Sequence, residues 1–159
     1  MCPDAAFEIS RTEPVERLLI EGLEPATEAA RRLLEGISRF DEALRYVQLV
    51  AHGERRSLSL LLETGSVGRL RSRLKKRAER FGAAPITVER DLCEVRVRVT
   101  EGRATTAAAC ARALERLDIP LSDTWLDGDQ VVMVVPRPHG DEAVLTCFEV
   151  LESRGRGER

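Results

Sequence analysis

The chain has 159 residues, 43% of them hydrophobic, enough to bury a sizeable core as one domain or as two small ones sharing a sheet, and too many for a disordered tail. Its 25 basic and 27 acidic side chains leave a net charge of -2, so no bulk field argues for nucleic acid or an anionic membrane, and partners must be argued locally. No apolar run approaches the roughly 18 residues of a membrane span. The start MCPDAAFEIS lacks the basic and apolar regions of a signal peptide, so a cytoplasmic chain is expected.

In chain order, VERLLIEG (15 to 22) has the run of a short strand, and ATEAARRLLEGISRF (26 to 40) sets Ala26, Ala29, Ala30, Leu33, Leu34 and Ile37 on one helical face. ALRYVQLVAHGERRSLSLLLE (43 to 63) predicts two strands around His52-Gly53-Glu54, with the glycine supplying the reversal. SVGRLRSRLKKRAERFG (66 to 82) places Val67, Leu70, Leu74, Ala78 and Phe81 at helical spacing, with Ser66 as N-cap and Gly82 as stop. APITVERDL (84 to 92) then has the pattern of a strand.

The order begins again after it. LCEVRVRV (92 to 99) alternates as a half-buried strand does, Val95, Val97 and Val99 facing one way and Arg96 and Arg98 the other. TTAAACARALERLD (105 to 118) aligns Ala107, Cys110, Ala111, Leu114 and Leu117 on a helix face. A hairpin turning at Asp127-Gly128 follows, and GDEAVLTCFEVLES (140 to 153) closes with Val144, Cys147, Phe148 and Leu151. A shift of 80 positions pairs Val15 with Val95, Gly22 with Gly102, Arg32 with Arg112 and Leu34 with Leu114. Both halves therefore read as copies of one βαββα unit. A helix crossing over implies a parallel neighbour and the tight hairpin an antiparallel one, so each copy is expected to form one mixed or antiparallel sheet with both helices on one face.

These residues carry a resemblance. LCEVRVRV, the helix ending ALERLDIPL, QVVMVV and the last helix, together with FEISRTEPVERLLIEGL (7 to 23), resemble the ACT domain, and the tandem copies are similar to the regulatory region of aspartokinases. Asp118-Ile119-Pro120-Leu121 stands where that family carries Gly-Ile-Asn-Ile. The resemblance spans residues 7 to 152 and implies an α+β fold of two ferredoxin-like modules of βαββαβ type. The modules would cover 15–90 and 92–152, the lead-in strand near 6–11 completing the second, with a flexible tail at 153–159. It also implies a non-catalytic regulator with no cofactor, whose effector is a small amino acid such as lysine or threonine, and whose partners are a second copy and a biosynthetic enzyme such as an aspartokinase. No kinase domain fits in this length.

A free amino acid needs an anion-binding feature beside an acid, and a helix N-terminus supplies the first. Two loops offer one: Gly22-Leu23-Glu24-Pro25-Ala26-Thr27, with Glu24 for the ammonium, and Glu101-Gly102-Arg103-Ala104-Thr105-Thr106, with Thr105 or Thr106 as cap. The family pattern has an Asp shortly before Pro-Gly; here Ala26 replaces that glycine and the second loop lacks both residues. By resemblance the facing wall comes from a neighbouring module's second strand, matching Ala43, Leu44, Arg45 and Tyr46, and Leu121, Ser122, Asp123 and Thr124.

Other signals are blander. Asp127 and Asp129 flank a turn glycine and need no metal, while His52 and His139 have no second ligand at metal spacing. Cys2, Cys93, Cys110 and Cys147 form no CxxC, and three lie in apolar patterns as buried thiols. Trp125 fits a sheet interface. The helix over 66–82 carries Arg69, Arg71, Arg73, Lys75, Lys76, Arg77 and Arg80 against the single acid Glu79. This is the sharpest local signal for a polyanion, yet it has no interleaved aromatics and a charged outer face is expected of any such helix. Besides an amino-acid sensor, two alternatives remain open: an assembly module without ligand binding, and a tandem-ACT transcriptional or translational regulator that uses this helix.

Overall fold

The structure, a computed structural model, describes residues 7–24, 27–38 and 43–157. In chain order its elements are β1 (Phe7–Arg11), β2 (Val15–Leu23), α1 (Thr27–Ile37), β3 (Leu44–His52), β4 (Arg55–Glu63), α2 (Val67–Arg80) and β5 (Thr87–Val99). There follow α3 (Arg103–Arg116), β6 (Asp123–Asp127), β7 (Gln130–Pro136), a 3-10 turn (Arg137–His139) and α4 (Gly140–Gly157). The chain divides into two compact units, Val15–Arg90 and residues 1–14 with 91–159.

In the unit Val15–Arg90 the strand order is β3-β4-β2, with the first residues of β5 beyond β2. Leu18 lies opposite Leu60 and Val47 opposite Leu60 from the other side, so β4 is sandwiched between two antiparallel partners. The hairpin turns on Gly53, whose φ of 58° is the left-handed angle such a two-residue reversal requires. Leu18, Ile20, Leu58, Leu60 and Leu62 meet Leu33 and Ile37 of α1 and Val67, Leu70, Leu74 and Ala78 of α2 in one core. That is the stripe read from the sequence for α2, and in α1 Ala29, Leu33 and Ile37 are buried as read while Leu34, read on the same face, is exposed; Ala26 and the side chain of Ala30 lie outside the described residues. Both helices thus lie on one face.

The other unit repeats the plan with β1-β5-β7-β6. Its fourth strand comes from far away: Phe7 lies opposite Val99 and Arg11 opposite Val95. Val95, Val97 and Val99 point with Val131, Met133 and Val135 into a core shared with Cys110 and Leu114 of α3 and Ala143, Cys147 and Leu151 of α4. Both units are thus ferredoxin-like, the architecture expected of tandem ACT modules.

Several details depart from the sequence reading. The pairs β1–β5, β2–β4, β3–β4, β5–β7 and β6–β7 are antiparallel, and β2 and β3, the two strands that α1 connects, are not the parallel neighbours expected because β4 lies between them. The separate strands read at 84–92 and 92–99 are one strand, β5, whose Asp91 bends at a φ of 54° without breaking it. Helix α3 begins at Arg103, not at a threonine cap: Gly102 takes the N-cap position at a φ of 67° and its carbonyl accepts the Thr106 N–H at 2.8 Å. Leu117 is the C-cap of that helix and turns outward instead of joining the core. Where a tail was expected from residue 153, α4 continues to Gly157, and the Ser153 hydroxyl donates to the Glu149 carbonyl at 2.8 Å.

Both long connections leave their helices through the same device. After α2, the N–H of Ala83 donates to the Ala78 carbonyl and that of Gly82 to Glu79, the paired bonds of a Schellman stop, with Gly82 left-handed at a φ of 72°. After α3, Ile119 donates to Leu114 and Asp118 to Glu115, with Asp118 in the left-handed position at a φ of 55°. Ile119 and Leu114 are both buried, supplying the apolar contact that accompanies this stop, and Pro120 prevents the helix from resuming.

Candidate functional site

The first candidate loop grows out of β2. Gly22 takes a φ of 73° at the strand end, which turns the chain toward α1, and Leu23 is buried in the core. The segment after α2 clamps this loop at two points and Arg55, at the start of β4, at a third. The Ala84 N–H donates to the Glu21 carbonyl at 2.8 Å, the Glu24 N–H donates to the Phe81 carbonyl at 3.1 Å, and the Arg55 guanidinium donates to the Gly22 carbonyl at 3.0 Å.

Gly82 is the centre of the clamp. A Cβ on it would lie 3.3 Å from Arg55 Nη1 and 3.4 Å from Glu24 Oε1. A guanidinium and a carboxylate therefore flank one glycine, yet they form no direct ion pair within the salt-bridge distance. Such an arrangement offers an anion partner and a cation partner side by side. Arg55 and Gly82 were not singled out by sequence. Their only mark was the glycine after a helix and an arginine at the first position of a strand, neither of which signals a site.

The remaining residues of the first candidate set are dispersed. Pro25 and Ala26 lie outside the described residues, and Thr27 opens α1. Leu44 packs against the core, and Arg45 pairs with Glu63 at 2.8 Å. Leu44 and Arg45 lie at the β2 end marked by Val15, since Leu44 faces Leu62 and Val15 faces Glu63, whereas Leu23 faces Arg56. Within this unit the loop and that wall are therefore separated by the length of a strand, about 25 Å.

The second loop is barer. Glu101, Gly102, Arg103 and Thr105 are exposed, and nothing approaches within 4 Å of a Cβ placed on Gly102. Thr106 is buried in the helix, and Thr105 lines a shallow groove between α3 and α4 with Arg112, Arg116 and Arg154. Leu121 packs on the core, the Ser122 N–H donates to the Val134 carbonyl at 2.8 Å, and Asp123 accepts from its neighbour Thr124 at 2.8 Å. They too sit at the opposite end of their sheet from the loop, beside Val134 rather than Val99.

The blander candidates take structural positions. Asp127 and Asp129 pair with Arg96 at 3.7 Å and Arg98 at 3.1 Å, and Gly128 between them has a φ of 56°. Among the described residues no group of three or more His, Cys, Asp or Glu could hold a metal ion. His139 faces Glu142 at 3.5 Å; the side chain of His52 and all of Cys2 lie outside the described residues. Cys93, Cys110 and Cys147 are buried free thiols. Burial pushes the Cys93 thiol up, and a hydrogen bond to Cys110, together with burial, pushes Cys147 far above the usual thiol range. No helix of the described residues is long and apolar enough to cross a membrane.

No family model and no curated protein matches the chain. Among solved structures it is similar to the aspartokinase alpha and beta subunits, at a TM-score of 0.80 and 16% identity over 91% of this chain and 97% of that one. The ligand-free regulatory subunit of aspartate kinase from Thermus thermophilus matches at 0.77 and 10% identity, over 89% of this chain and 95% of that one. E. coli aspartokinase III in complex with lysine and aspartate matches at 0.60 and 18% identity, over 92% of this chain but 33% of that one. At these identities the likeness is one of fold. The chain thus has the tandem ACT architecture found in aspartokinase regulatory subunits and regulatory domains.

Proposed function

We propose that this chain is a non-catalytic regulatory chain linked to aspartokinase, which senses a free amino acid, lysine or threonine, through the loop that follows β2. The observation that carries the reading is the placement of Glu24 and Arg55 on either side of Gly82. An α-amino acid presents an ammonium that suits the carboxylate and a carboxylate that suits the guanidinium. Because the wall residues lie at the far end of their own sheet, a closed pocket draws its second wall from another module. A second copy is the natural supplier, and binding then favours one arrangement of the assembly through differential affinity.

Calorimetry of the intact chain against lysine, threonine and the other amino acids is the test. Saturable heat for one of them, lost in Glu24→Gln and Arg55→Gln while the fold is retained, supports the reading. No heat and no shift in melting temperature at millimolar ligand overturns it and leaves an assembly role.

A further inference from the structure

Arg11, Arg17, Arg31, Arg32, Arg45, Arg90, Arg96 and Arg98 form ion pairs with acids. Helix α2 carries the densest run of cations that do not. Arg77 donates to the Arg32 carbonyl at 2.9 Å, but Arg69, Arg71, Arg73, Lys75, Lys76 and Arg80 have no acid partner among the described residues. The buried side of the helix is fixed by Val67, Leu70, Leu74 and Ala78. On the opposite side Arg69, Arg73, Lys76 and Arg80 follow one another at intervals of four, three and four residues. At about 100° per residue these four fall within a sector of roughly 60°, and at about 1.5 Å per residue they form a row roughly 16 Å long. Concentrating unpaired like charge along one helix destabilises it, since like charges at this spacing repel. An external counter-charge relieves that repulsion.

We propose that this row is a docking surface for a protein partner that presents a straight row of carboxylates, such as the acidic face of a helix. Charge complementarity selects the partner's sign, and three observations select its class. The row has no interleaved aromatic side chain on which a base could stack. The unit Val15–Arg90 holds 15 basic and 11 acidic residues, a net charge of +4, while the rest of the chain holds 10 and 16, a net charge of -6. An acidic patch on a partner complements the net positive charge of the unit that carries the row. The four-three-four spacing is also the same read in either direction, so an acidic helix of matching spacing satisfies all four cations parallel or antiparallel. This surface is independent of the amino-acid reading above.

The probe is a synthetic helical peptide with Glu at four-three-four spacing, compared with a peptide of equal composition and scrambled spacing, by fluorescence anisotropy with the intact chain. The matched peptide is expected to bind about tenfold more tightly than the scrambled one, and to weaken steeply as salt rises from 50 to about 200 mM. Reversing the row, with Arg69→Glu, Arg73→Glu, Lys76→Glu and Arg80→Glu, is expected to abolish binding and to transfer it to a Lys peptide of the same spacing. If that variant fails to fold, Arg69→Gln with Arg80→Gln is expected to weaken binding while melting is unchanged or slightly raised by the relieved repulsion. Equal binding of the two peptides, or undiminished binding by the variants, overturns the proposal. So does tighter binding of a 20-base-pair duplex DNA than of the matched peptide, which would assign the row to nucleic acid.

Discussion

Gly140 and Cys93 lie so close that a Cβ on the glycine would sit 2.8 Å from the cysteine sulfur. The start of α4 rests directly on β5 at this point, and Gly140 has ordinary helical angles, so glycine is required by space and not by backbone conformation. Arg11 also comes within 2.7 Å of that position, but its side chain is long and can swing aside. Gly140→Ala is therefore expected to cost about 1–2 kcal/mol, overpacking outweighing the gain in helix propensity. Adding Cys93→Ala removes the obstacle. A double-mutant cycle by urea unfolding should show a coupling energy above about 1 kcal/mol, and additive effects would mean the contact is not the cause.

Asp118 offers a stabilising change. It occupies the left-handed stop of α3 at a φ of 55°, the position that Gly82 fills after α2. Its side chain has no hydrogen bond to offset the strain among the described residues. Asp118→Gly is expected to raise stability by about 0.5–1 kcal/mol and Asp118→Ala to lower it by a similar amount, measured as shifts in the denaturation midpoint.

Glu94 is wholly buried, yet only one of its oxygens is engaged, accepting from Arg96 Nε at 2.8 Å. Removing it strands a guanidinium that is itself 24% exposed and keeps Gln130 at 3.2 Å. Glu94→Ala is expected to cost about 2–4 kcal/mol, softened by those remaining contacts. The paired replacement Glu94→Leu with Arg96→Leu should recover most of that loss, because it removes both desolvated charges together; thermal unfolding of the three variants decides it.

The buried thiols set an alkaline limit. Burial shifts Cys93 upward in the folded chain, whereas the hydrogen bond between Cys110 and Cys147 raises Cys147 and lowers Cys110, so within that pair the two shifts oppose each other. In the unfolded chain a thiol ionises near about pH 8.5. A group with a raised folded pKa contributes its stability fully below that point and loses it as pH rises beyond. Under reducing conditions, stability should be level near neutral pH and fall above about pH 8.5. Cys93→Ala should flatten part of that fall, and an unchanged slope would assign it to other groups.

The sequence made the strand and helix faces legible wherever one side is packed and the other wet. Val95, Val97 and Val99 against Arg96 and Arg98, and the Val67, Leu70, Leu74 and Ala78 stripe, are placed as their spacing dictates. It failed where the answer depends on partners remote in sequence. Nothing local tells β5 to run on through Asp91, and nothing tells Leu117 to face outward, since that depends on a stop held by Ile119 and Leu114. The site shows the same limit. Glu24 could be named from its loop, but Arg55 and Gly82 reach it only because the hairpin and the α2 stop bring them there. Arg45, chosen by resemblance, is instead held by Glu63.

The strand β1 ties together residues as far apart as Phe7 and Val99. During synthesis the stretch Val15–Arg90 can collapse as it emerges, whereas Phe7–Arg11 must wait for β5, α3 and the following hairpin, about 6–25 s at roughly 5–20 residues per second. A strand made before the unit Val15–Arg90 is thus secured after it, and a change that displaces Phe7–Arg11 would unsettle the later-made unit while sparing the one made first of the two.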